Sequence, residues 1–112
     1  MKARQEVFDL LSLLKVFDAN YVSDEDCMVL HGLNVNHPED LAKAVKELLV
    51  PEFHTYPKSA QKRLMDLLHM CISDSSEDFS TLFERVELAF DDEIIDRRAF
   101  MSALLICLES LS

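Results

Sequence analysis

Residues 99–108 read Ala-Phe-Met-Ser-Ala-Leu-Leu-Ile-Cys-Leu, and this run decides the fold. It is apolar nearly all round, yet too short for a membrane span, which needs about 20 such residues. A helix without a polar face belongs in an interior. The run therefore predicts a central helix over residues 96–111. Asp96 is its N-cap, Arg97 and Arg98 keep their charges in the first turn, and Phe100, Leu104, Cys107, Leu108 and Leu111 form the main stripe.

Upstream of that helix the chain reads as five more. The first spans about Ala3 to Phe17, with Val7, Leu10, Leu11, Leu14 and Phe17 at helical spacing. The second is short: Ser23 caps it with Asp26 three residues on, Cys27, Met28 and Leu30 face inward, and Gly32 is the left-handed stop. Pro38 opens the third, with Glu39 and Asp40 complementing its dipole. That helix carries Leu41, Val45, Leu48 and Leu49, stops before Pro51, and leaves residues 52–57 irregular. The fourth runs from about Lys58 to Ile72 with Leu64, Leu67, Leu68 and Cys71 on one side, and the fifth from about Glu77 to Phe90. Strand-like alternation is absent, and a single Gly among 112 residues leaves too few tight corners for a sandwich or barrel. The expectation is an all-α, compact single-domain bundle over residues 1–112, about six short helices around a buried C-terminal helix.

Half of the residues are hydrophobic, enough to bury about 65% of the surface that the unfolded chain exposes. No signal-like or membrane-spanning segment is read. Cys27, Cys71 and Cys107 are odd in number and sit at apolar helical positions, which fits buried free thiols in the cytoplasm better than a disulfide framework.

Catalytic and cofactor chemistry finds no foothold. One Gly cannot build a phosphate-cradling loop or a dinucleotide fingerprint, and no nucleophile elbow, zinc-protease helix or Cys-x-x-Cys pair occurs. Cys27 and His31 stand i, i+4, and His69 and Cys71 lie two apart, but nothing completes a tetrahedron around either pair. Two oxygen-rich stretches, Asp18-Asn20-Asp24-Asp26 and residues 94–100, lack the central Gly of a calcium loop, and Val29 stands where the first needs its bidentate Glu. No enzyme, cofactor or metal is expected.

What stands out is charge. The net charge is −10, and residues 74–96 hold nine acids against one base, Arg85. Such a surface repels nucleic acid, whose phosphates need clustered Lys and Arg, and complements a basic protein. On a helix over 77–90, Phe79, Leu82, Phe83, Val86, Ala89 and Phe90 fill one face. Glu77, Glu84, Glu87 and Asp91 line the other, with Leu88 projecting among them and Asp91, Asp92 and Glu93 forming an acid corner. A second cluster, Asp24, Glu25 and Asp26, follows Tyr21. Acids at helix starts are stabilising by about 0.3–1 kcal/mol each. Glu84, Glu87 and Asp91 instead repel at i, i+3 and i+4 spacings with no cation to relieve them. The expected partner-binding residues are therefore Glu77, Glu84, Glu87, Leu88, Asp91, Asp92 and Glu93, with Tyr21, Asp24, Glu25 and Asp26.

In size, acidity, helical content and free thiols, the chain resembles the small acidic immunity proteins with which bacteria neutralise nuclease toxins, including those of contact-dependent inhibition systems. The resemblance implies an antitoxin whose partner is a cationic ribonuclease or deoxyribonuclease domain, blocked at its substrate cleft. Two other readings share the composition. One is a helical adaptor or regulatory subunit, the homodimer included, with an apolar interface; the other is a DNA-mimic inhibitor.

Overall fold

The computed structural model describes residues 4–111. It holds six helices: α1 Arg4–Leu14, continued by a 3-10 turn Lys15–Phe17; α2 Asp24–Leu30; α3 over 38–54; α4 Lys58–Ser73; α5 Ser80–Phe83; and α6 Arg97–Leu111. No strand occurs among the described residues, only an isolated antiparallel bridge between Asp18 and Leu88. The radius of gyration, 13.1 Å, is the value of about 13 Å expected of one compact domain of this length.

The C-terminal helix begins where the sequence places it. Asp96 Oδ1 accepts from the Ala99 N–H at 3.0 Å, satisfying one of the free donors of the first turn. Phe100, Met101, Leu104, Leu105 and Leu108 are buried against α3 and α4. Cys107 is only half-buried and Ile106 is 61% exposed, so α6 lies at a flank of the core with one edge open. The start of α1 at Ala3 and the side chain of Leu111 lie outside the described residues. Leu10, Leu13 and Leu14 of α1 and Phe17 of the 3-10 turn are fully buried and share the interior with α6.

The third helix does not stop before Pro51. It passes through a π turn, Val45–Leu49, and continues as Val50–His54. Proline has no N–H, and its ring would strike the carbonyl four residues back in a regular helix. The wider turn relieves this, with the Val50 N–H donating to the Val45 carbonyl, five residues back. Residues 52–54, expected to be irregular, are helical as a result, and Phe53 is buried. From this continuation Glu52 reaches Lys15 at 3.0 Å, tying α3 to α1.

The expected helix over 77–90 is largely absent: only Ser80–Phe83 is helical. Several local forces displace it. Glu77 Oε2 accepts from the Phe79 N–H at 2.8 Å and Asp78 Oδ1 from the Ser80 N–H at 3.0 Å, short-range bonds that compete with helical ones. Phe79 takes the left-handed conformation, φ 63°, which ends any continuous helix there. Beyond α5 the chain is extended, and the Ala19 N–H donates to the Glu87 carbonyl at 2.6 Å and the Ala89 N–H to the Phe17 carbonyl at 2.7 Å. Phe90 stacks on Phe17 with ring centroids 5.4 Å apart. Val86, Leu88 and Phe90 therefore alternate inward at the period of a strand.

Candidate interaction surface

Every buried side chain among the described residues is apolar. The polar and charged side chains among the described residues therefore lie toward the surface, and their arrangement follows from how 84–95 lies across 18–36.

That segment is pinned at three places. Residues 87–89 pair with 17–19 through the backbone bonds given above. Asp91 then grips the end of α2: Oδ1 lies 2.8 Å from His31 Nδ1, and Oδ2 accepts from the Gly32 N–H at 3.1 Å. Farther on, the Asn36 side chain donates to the Glu93 carbonyl at 2.7 Å and accepts from the Ile95 N–H at 2.9 Å. Gly32 is the helix stop expected from the sequence, with φ +84°. The Gly32 N–H and the His31 imidazole together hold the Asp91 carboxyl below the usual carboxylate range.

The two acidic clusters are thus joined. Asp24, Glu25 and Asp26 form the first turn of α2, capped by Ser23 Oγ accepting from the Asp26 N–H at 3.1 Å. The corner at Asp91, Asp92 and Glu93 attaches at the other end of the same helix, about 10 Å away at 1.5 Å per residue. Glu87 lies beside the turn leading to Tyr21, which is 59% exposed, with Lys15 Nζ 5.4 Å from its ring centre. Among the described residues, Asp24, Glu25, Asp26, Glu84, Glu87, Asp92 and Glu93 make no ion pair.

Three expected members change role. Leu88 is no exposed anchor: it is half-buried, packs against the core and holds the bridge to Asp18. Glu77 is half-buried; its carboxylate closes the Phe79 turn and its carbonyl accepts from Arg98. Arg98 also donates to the carbonyls of Ile72 and Asp74 and lies over the Phe79 ring, so it fastens the loop after α4 instead of idling in the first turn of α6. Asp91 is committed to its clasp with His31 and Gly32.

The apolar residues on this surface are others. Met28, expected inward, is 75% exposed. Its signal was present, because Met28 stands i+4 from Asp24 and i+3 from Glu25, on the acid face of α2. Ile95, two residues past the acid corner, is 86% exposed. It borders a groove of about 280 Å³ lined by Val35, Pro38, Leu41, Phe100 and Ala103.

Neither calcium-like stretch gathers ligands. Asp18 accepts from Asn20 within its own turn, and Asp96 caps α6. Among the described residues no group of three His, Cys, Asp or Glu side chains is placed to hold a metal ion, and no helix is long and apolar enough to cross a membrane. Cys27, however, is not an isolated thiol: its Sγ lies 3.8 Å from His31 Nε2.

Comparison with family models, curated protein sequences and solved structures returns no match.

Proposed function

We propose that this chain is an acidic binding protein that masks a basic surface on a protein partner, in the manner of an immunity protein occluding the substrate cleft of a cationic nuclease toxin. The observation carrying the reading is the surface joining α2 to 87–95. Asp24, Glu25, Asp26, Glu87, Asp92 and Glu93 stand there without a cationic partner among the described residues, and Met28 and Ile95 are exposed beside them. Unpaired like charges held together by the fold repel one another, and a basic partner converts that cost into attraction. Exposed apolar side chains within such a field are the anchors that slow dissociation. The buried side chains among the described residues are all apolar, so the charged groups that support this reading lie toward the surface.

A second reading, a helical adaptor or homodimer, draws on the groove beside Ile95 and on Ile106, exposed on α6. One capture experiment separates the two. Immobilised wild type and the triple variant Glu25→Lys, Asp92→Lys, Glu93→Lys are exposed to lysate of the native cell, and retained proteins are identified by mass spectrometry. The acidic-face reading expects a basic protein retained by wild type and lost from the variant. Identical retention by both removes the acidic face, and retention lost only with Ile95→Asp favours the apolar groove.

A further inference from the structure

We propose that Cys27 is a peroxide-sensitive thiol, with His31 as its base and Asp91 as the positioning residue that orients His31. This stands apart from the binding reading and rests on three side chains in a row. Cys27 Sγ lies 3.8 Å from His31 Nε2, and His31 Nδ1 lies 2.8 Å from Asp91 Oδ1. The carboxylate is itself held by the Gly32 N–H at 3.1 Å.

The bonding pattern selects the tautomer. Asp91 is ionised at neutral pH, since its carboxyl is held below the usual range, and can only accept. Nδ1 therefore carries the proton, and Nε2 turns its lone pair to the thiol. Transfer of the Sγ proton to Nε2 leaves a thiolate beside an imidazolium that Asp91 stabilises. In the reaction, the thiolate attacks one oxygen of hydrogen peroxide. An S–O bond forms as the O–O bond breaks, and sulfur gives up two electrons. The leaving hydroxide takes the imidazolium proton and departs as water, and Cys27 becomes a sulfenic acid.

The surroundings select both oxidant and site. Asp24, Glu25 and Asp26 on the same helix, with Asp92 and Glu93 beyond Asp91, repel anionic disulfides such as oxidised glutathione but not a neutral peroxide. Cys27 is half-exposed, Cys71 is 1% exposed, and burial pushes the Cys107 thiol up.

The experiment treats the chain at pH 7 with equimolar hydrogen peroxide, traps sulfenic acid with dimedone and maps the adduct by peptide mass spectrometry. Cys27 should carry it, forming about tenfold faster in the native chain than in the same chain unfolded in urea. His31→Gln should bring the native rate down to the unfolded rate. Asp91→Asn should lower the rate less and shift His31 away from the Nδ1–H tautomer in nitrogen-15 spectra. A native wild-type rate no faster than the urea rate overturns the proposal without any variant. So does a folded His31→Gln protein that keeps the wild-type rate.

Discussion

At the scale of single residues, Phe79 shows how a tertiary contact overrides local preference. Its φ of 63° costs an L-residue about 1–2 kcal/mol, and the conformation persists because the ring is buried under Arg98. Removing the ring by Phe79→Ala should lower stability by about 3–5 kcal/mol and leave the backbone strain in place. Phe79→Gly removes the same ring but relieves the strain, and should be more stable than the Ala variant by about 1 kcal/mol. Urea denaturation of the two measures this inversion of the usual order; equal midpoints would mean that the turn is not left-handed in solution. Lys15 is the other residue whose role only the fold reveals. Its bond to Glu52 is the main cause holding the ammonium above its ordinary value of 10.5, and burial raises the Tyr56 hydroxyl from 10.0. Both groups bind their proton more tightly when folded. Their contribution is therefore complete at neutral pH and is lost as pH rises past about 10–10.5. Thermal melts at pH 8 and pH 11 should show a fall that Lys15→Met reduces; the same fall in the variant would remove Lys15 from the effect.

At the scale of elements, what could be read depended on whether local and tertiary forces agree. Helix α4 was legible, with Leu64, Leu67, Leu68 and Cys71 all inward, because a 3.6-residue period and tertiary burial point the same way. The Ser23 cap, the Gly32 stop and the Asp96 cap were legible for the same reason: each is a local bond between near neighbours. Pro51 misled because a proline normally ends a helix, and nothing local announces that a π turn will absorb it. The 77–90 stretch misled more deeply. Its apolar residues Val86, Leu88 and Phe90 fit a strand period, but the competing helical set from Phe79 to Phe90 is longer, and the partner that decides is 70 residues away at Asp18. The site inherits this error at Leu88, which a helical reading of 77–90 sets among the acids, whereas Met28 is misread separately, on the acid face of α2. Leu88→Ala therefore tests the element directly. Its half-buried side chain should cost about 1–2 kcal/mol when truncated, and protection from hydrogen exchange at the Ala19 and Ala89 amides should weaken with it. No change in stability or exchange would return Leu88 to the solvent.

At the scale of the whole molecule, 112 residues carry a net charge of −10, the buried side chains among the described residues are all apolar, and the fold gathers two acidic clusters distant in sequence onto the two ends of α2. The clusters were legible as composition; their meeting was not, because it rests on the contact of Asp91 with His31 and Gly32. Electrostatic attraction of this kind acts over a Debye length of about 10 Å at 0.1 M salt and governs encounter more than release. The most direct measurement is the association rate of wild type and the Glu25→Lys, Asp92→Lys, Glu93→Lys variant with the captured basic partner, by surface plasmon resonance at 50 and 300 mM salt. The wild-type on-rate should fall at least about tenfold with salt, and the variant should start slow and change little. Equal on-rates for the two proteins at both salt concentrations would contradict that expectation.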